Sequence, residues 1–184
     1  MEVIRDTTEF QILRPTAVCI GKFDGVHMGH RKLIEKVVDK RCLGLIPTVF
    51  TFNPSPEELF SGVQNNELCT RHQKQEMLEK LGIELIIEFP LTLKTAAIDP
   101  LDFIEDILVG RMHMRYIAAG PDISFGAGGK GDRELIEVMG RRFGYEAEII
   151  DKVRFDNADI SSSRIREAIN SGNISLAERM LGKI

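Results

Sequence analysis

Apolar positions along this chain switch between two spacings. Runs of consecutive apolar residues occur in PTAVCIGKF (15–23), LGLIPTVFTF (43–52), IELIIEF (83–89), MRYIAA (114–119) and YEAEIID (145–151). They read as short buried strands. Between them, apolar residues recur three or four positions apart. HRKLIEKVVDK (30–40) carries Leu33, Ile34, Val37 and Val38 on one helical face, and RHQKQEMLEKL (71–81) is stopped by Gly82. PLDFIEDILV (100–109) has a proline at its start and Gly110 at its end, and DRELIEVMGRRF (132–143) begins on Asp132, a capping residue. NPSPEELF reads as a turn with one helical turn after it, and SSSRIREAIN (161–170) and ISLAERML (174–181) close the chain as helices. Strands that alternate with helices predict a doubly wound α/β fold, a five-stranded parallel sheet with helices on both faces. No repeat, low-complexity tract or linker divides it, so one domain is expected over 1–184.

Composition adds bounds rather than detail. At 184 residues, folding buries roughly 70% of the extended-chain surface, enough for a core without staples. Hydrophobic content of 43% and charge of 28% are those of a globular protein. A net charge of −4 offers no basic coat for nucleic acid and no attraction to an anionic membrane. Any polyanion must then be held by a local site. Cys19, Cys42 and Cys69 are isolated and form no Cys-x-x-Cys pair. Disulfide frameworks and zinc ribbons are therefore not expected, and a reducing cytoplasm is. The first residues, MEVIRDTTEF, are polar and acidic, unlike a secretory signal. The longest apolar stretch, 43–52, contains Pro47 and falls well short of the roughly 20 residues of a membrane helix.

In sheets of this kind ligands bind outside the carboxyl ends of the strands. GKFDGVHMGH (21–30) falls there after the first strand, and GPDISFGAGGKG (120–131) after the fourth. In the first, Gly21 and Gly25 permit a tight turn and Gly29 allows close approach to backbone at a helix start. His27 and His30, three apart, share a face if that turn is helical. Free N–H groups, a positive dipole end and two imidazole donors make an anion site. No third metal-type ligand is near, which argues against zinc. A plain loop with two histidines is the alternative. In ISSSRIREAI (160–169), Ser161, Ser162 and Ser163 offer a cap and hydroxyl donors, and Arg166 can fork onto phosphate oxygens. A helix cap alone is again the alternative. GAGGKG (126–131) fits G-x-G-x-x-G with Asp151 twenty residues on, but GPDISF separates it from its strand, so a substrate loop is preferred to a dinucleotide fingerprint. FTFNPSP (50–56) ends the second strand with two prolines, and Phe50 and Phe52 could flank a planar ring.

With these residues in view, GKFDGVHMGH resembles the G-x-F-D-G-V-H-x-G-H signature of the bacterial FAD synthetases, within the wider His-x-Gly-His nucleotidylyltransferases. TFTFNPSP, GPDISFGAGGKGD and ISSSRIR resemble that family's later motifs in the same order, from about Pro15 to Gly182. The resemblance implies a Rossmann-like nucleotidylyltransferase fold and AMP transfer from ATP to FMN with Mg²⁺, giving FAD and pyrophosphate. It implies phosphate contacts from His27, His30 and Arg166, an ATP site including Gly21, Phe23, Asp24, Gly25, Gly29, Ser162 and Ser163, and Asp122 near the metal. Flavin contacts would come from Asn53, Pro54, Phe125 and Gly126. The family usually carries a C-terminal riboflavin kinase module, which is not expected within this chain. Ser55 stands where the family commonly has His, and Ile123 where it often has an aromatic residue. Rival readings are the same chemistry on another phosphate acceptor, a non-catalytic flavin or nucleotide binder, and a dinucleotide oxidoreductase.

Overall fold

A computed structural model describes residues 1–62 and 66–182. Six strands make one sheet in the order β1-β4-β3-β2-β5-β6, every neighbouring pair parallel. They are β1 Glu2–Arg5, β2 Thr16–Ile20, β3 Ile46–Asn53, β4 Leu85–Pro90, β5 Met114–Ala119 and β6 Glu146–Ile149. Five are the expected strands. The sixth, β1, corrects the count: EVIR is short, and only Val3 and Ile4 are half-buried, so the segment carries almost no apolar signal. It lies at the sheet edge, in register with β4 from Glu2↔Leu85 to Arg5↔Glu88.

Helices α1 Met28–Asp39, α2 Pro56–Ser61, α3 Arg71–Lys80, α5 Arg133–Phe143, α6 Ser162–Asn170 and α7 Ile174–Leu181 fall where the pattern put them. Between α3 and α5, α4 starts as Pro100–Asp102 and continues as wide π turns over Phe103–Arg111. It thus runs through Gly110 rather than stopping there, because Met112 N–H reaches back five residues to the Ile107 carbonyl at 3.0 Å. A small hairpin, β7 Arg154–Phe155 with β8 Ala158–Asp159, follows β6. Its turn places Asp156 and Asn157 at φ 49° and 59°, the left-handed region these residues tolerate.

Alternate residues of the strands feed two cores. Ala17 and Cys19 of β2 join Ile34, Val37 and Leu78 under α1 and α3. Val18 and Ile20 join Phe50, Ile104, Leu108 and Ile136 under α4 and α5. Helices therefore cover both faces. The chain leaves β2 toward β3 on one side, and β5 pairs on the other. The strand order reverses there, which opens a crevice at the carboxyl ends of the central strands.

Candidate functional site

The crevice is a cleft of about 670 Å³. Gly21 and Lys22 after β2, Thr51 and Phe52 at the end of β3, Gly120–Ser124 after β5, and Ile150–Val153 after β6 line it. His27, Gly29 and His30 form its floor, and Ser161 and Ser162 close it from α6.

The turn that delivers the histidines is tightly specified. Phe23, Gly25 and Val26 sit at φ 52°, 72° and 42°. A left-handed β-branched valine is unusual and must be held by its surroundings. Phe23 and Val26 are fully buried. A Cβ on Gly25 would meet the Leu68 side chain at 2.9 Å, so that position admits only glycine on two counts.

His27 is the N-cap of α1, and its Nδ1 accepts from the His30 backbone N–H at 3.3 Å. An accepting Nδ1 leaves the neutral ring's proton on Nε2, as a donor. His27 and His30 stack with centroids 3.6 Å apart and planes 16° from parallel, and Phe23 backs His30 at 5.0 Å. Burial holds His27 down to about 4, and burial, with His27 and Lys74 nearby, pushes His30 well below the ordinary imidazole value. The rings are therefore neutral at pH 7, and His30 Nδ1 is a buried atom with no hydrogen-bond partner among the described residues. A Cβ on Gly29 would stand 3.2 Å from Cε1 and Nδ1 of His27, so the glycine makes room first for the neighbouring imidazole.

Not every expected residue faces the cleft. Phe23 and Gly25 lie behind it as supports, and Ser163 is exposed outside the lining. Asp24 is 2% exposed; its Oδ1 accepts from Leu68 N–H and its Oδ2 pairs with Arg166 Nη1, both at 2.7 Å. Arg166 is thus tied to protein, not aimed into the cleft. Arg164 is likewise occupied, donating to the carbonyls of Phe155, Ala158 and Asp159 in the hairpin. Ser161 caps α6 through Arg164 N–H, and the Ser162 hydroxyl donates to the Asp24 carbonyl at 3.1 Å. The α6 N-terminus is therefore clamped to the histidine loop.

Asp122 lines the cleft, with its Oδ2 3.0 Å from Lys152 Nζ. Among the described residues, no three His, Cys, Asp or Glu side chains gather as a metal cage. Phe125 and Gly126 wall a separate apolar hollow of about 340 Å³ with Phe52, Phe60, Phe89 and Phe103. Asn53 lies in a third, polar hollow, while Pro54, joined to it by a cis bond, is exposed and lines none of the three. Phe50 belongs to the core. Ser55 caps α2 in a reciprocal pair with Glu58. GAGGKG folds back on itself, with Phe125 and Gly131 exchanging backbone hydrogen bonds and Ala127 N–H held by the Ile98 carbonyl at 2.7 Å. Its helix begins only at Arg133, so it lacks the strand-to-helix turn of a dinucleotide site.

Lys22, Thr51, Lys152 and Asp159 line the cleft without having been singled out in the sequence, and Asp151, noted there only for the dinucleotide reading, lines it too. Lys22 stands inside the histidine stretch. Asp151 and Lys152 follow β6, where the carboxyl-end rule alone would have pointed.

The chain matches the FAD synthetase family over residues 9–164. It is 33% identical over 165 residues to the bifunctional riboflavin kinase/FMN adenylyltransferase of Escherichia coli K12, covering 89% of this chain and 53% of that protein. The protein of the same name from Haemophilus influenzae is 33% identical over 177 residues, 94% of this chain and 57% of its own length. The chain thus spans about half the length of the curated relatives it matches. Among solved structures, a macrolide-efflux protein from Streptococcus pneumoniae superposes with a TM-score of 0.84 at 26% identity, over 99% of this chain and 61% of that one. A pantoate-β-alanine ligase from Francisella tularensis superposes at 0.51 and 14% identity, over 91% and 70%, a likeness of fold. Among the described residues no helix is long and apolar enough to cross a membrane.

Proposed function

Since the chain belongs to the FAD synthetase family, we propose that it transfers AMP from ATP to FMN, releasing FAD and pyrophosphate. A phosphate oxygen of FMN attacks the α-phosphorus of ATP, and the bond from that phosphorus to the bridging oxygen of the β-phosphate breaks. No covalent enzyme intermediate is needed. The protein must align the two phosphates and offset their charge.

The observation that carries the reading is the stacked His27–His30 pair on the cleft floor, at the N-terminus of α1. The Nε2–H of His27 is a fixed donor facing anionic oxygens, and the helix dipole adds to it. A bound phosphate raises the low imidazole pKa values, so the pair strengthens as charge builds on the α-phosphate. The N–H groups at the N-terminus of α6, at Ser162 and Ser163, receive the outer phosphates, while the Ser162 hydroxyl holds the Asp24 carbonyl. Arg166 acts from behind: its ion pair with Asp24 fixes the α6 end against the histidine loop. Gly21 and Gly29 keep the floor low enough for phosphate to reach it.

The donor chemistry suits Mg²⁺ brought in on the triphosphate. Mg²⁺ takes one or two carboxylates and completes its shell with phosphates and water, and Asp122 is a cleft carboxylate of that kind. When bound, the ion neutralises phosphate charge. Lys152, now paired with Asp122, would then be available to a phosphate. The flavin ring takes the aromatic hollow of Phe52, Phe125 and Gly126, which shares Phe52, Pro56 and Ser124 with the cleft. Asn53 and Pro54 shape the strand exit between them. A cytoplasmic setting suits three free cysteines.

The test is incubation with FMN, Mg²⁺ and ATP labelled on the α-phosphate. Label in FAD with equimolar pyrophosphate supports the proposal. Transfer to another phosphate acceptor in preference to FMN, or tight FMN binding with no pyrophosphate, would replace it.

A further inference from the structure

Beside the cleft lies a polar hollow of about 170 Å³, lined by Lys22, Thr51, Asn53, Arg71, Lys74 and Glu88 among others. It shares Lys22, Thr51, Phe52 and Ser55 with the cleft and Phe52 with the aromatic hollow. None of its chemistry is needed for the phosphate steps above.

Its two acidic and hydroxylic walls are left wanting donors. Glu88 of β4 is 3% exposed, with Oε1 accepting from Gln75 Nε2 at 3.2 Å. Its Oε2 has Arg71 Nε at 3.5 Å but, among the described residues, no hydrogen-bond partner, although it is shut off from solvent. Thr51 of β3 is also 3% exposed, and its Oγ1 is buried without a partner among the described residues. Glu88 and Thr51 lie on neighbouring, paired strands, where Thr51 is in register with Glu88 itself. Buried polar atoms are costly unless paired. Two of them, side by side on the wall of one hollow, mark a place built for a ligand that donates.

The occupant is a hydroxylated chain. A carboxylate accepts and does not donate, which rules out a phosphate against Glu88. Arg71 and Lys74 in the same walls disfavour a metal cation. Resting on the reading of the cleft as an FMN site, we propose that Glu88 and Thr51 bind the hydroxyl groups of the FMN ribityl chain. That chain joins the flavin ring to the phosphate, and the hollow adjoins both the aromatic hollow and the cleft at Phe52. Glu88 and Thr51 are positioning and specificity residues for the acceptor.

The test measures FMN binding without ATP, by quenching of flavin fluorescence, in the wild type, Glu88→Gln and Thr51→Val. In Glu88→Gln the amide oxygen is drawn to Gln75, which turns the NH₂ toward the hollow and removes the acceptor. Each substitution is expected to weaken FMN about 10–100-fold, the worth of a hydrogen bond to a buried charged or polar group. A flavin phosphate with a plain alkyl chain in place of the ribityl chain should bind the wild type and both variants alike, and ATP binding should not change. Equal weakening of both flavins would mean that the substitutions only disturb the fold and would overturn the assignment. So would unchanged FMN binding, or a loss confined to ATP. If the wild type makes FAD while the variants bind normally, this inference alone fails. If the wild type neither binds FMN nor makes FAD, the functional reading falls and takes this inference with it.

Discussion

Cutting away the Arg166 guanidinium separates the frame of the site from its chemistry. The ion pair with Asp24 is 2.7 Å long; Asp24 is 2% exposed and the Arg166 side chain 22%. Among the described residues, Arg166→Ala leaves a buried carboxylate with the Leu68 N–H as its hydrogen-bond donor. Removing one partner of a buried pair costs about 3–5 kcal/mol. Because part of Arg166 touches water, the lower end applies, about 3 kcal/mol. In a chain of 184 residues each kcal/mol moves Tm by roughly 2–4 °C, so a fall of about 6–12 °C is expected. Asp24→Asn keeps the acceptor for Leu68 while removing the charge. Combined with Arg166→Ala it should recover much of the loss, giving a coupling of about 2 kcal/mol in the cycle. Urea unfolding of the four proteins gives the cycle, and the KM for ATP in each shows whether the α6 end has drifted. If Arg166→Ala abolishes adenylyl transfer but costs less than about 0.5 kcal/mol in stability, the guanidinium works on the substrate directly and the tie argued above is wrong.

Other expectations follow from the histidine floor. His30→Ala should keep its far-ultraviolet spectrum and unfold cooperatively, yet lose about 10²–10³ in kcat for FAD formation, the usual value of one preorganised donor; near-normal turnover would remove His30 from the mechanism. Gly29→Ala should raise helix propensity by up to about 1 kcal/mol while pushing the His27 ring away, since the new Cβ would meet it at 3.2 Å; a protein as stable as before but at least tenfold slower is the expected pair of results in melting and turnover assays. His27 titrates near 4 in the fold against 6.5 when free, because burial disfavours its cation. The unfolded chain therefore binds more protons between those values. Stability from this ring is complete above about pH 6.5 and is lost as the pH falls toward 4, by about 3 kcal/mol; His27→Gln should flatten that part of the stability profile.

The sequence carried the strands and helices that have a one-sided or continuous apolar pattern, and it carried the floor of the site. Gly21, Gly25 and Gly29, spaced around two histidines after a strand, already say turn and helix start, and both are there in the fold. The edge strand β1 was hidden because its register is set by β4, more than 80 positions away, and not by its own four residues. The hairpin after β6 was signalled only by Asp156 and Asn157 at its turn. The arginines show the larger limit. Arg164 and Arg166 sit at a spacing that suggests phosphate, yet one holds the hairpin and the other finds Asp24 across 142 positions. Side-chain partners so remote leave no local trace. Glu88 is the same case reversed: in IELIIEF it reads as the polar break of a strand end, and only the fold shows that it is buried beside Thr51.

The most direct measurement mixes the protein with FMN, ATP and Mg²⁺ and follows FAD and pyrophosphate together. The account expects the two products in equal amounts, with both suppressed in His30→Ala. Pyrophosphate without FAD, or no reaction from folded wild-type protein that binds both substrates, would contradict it.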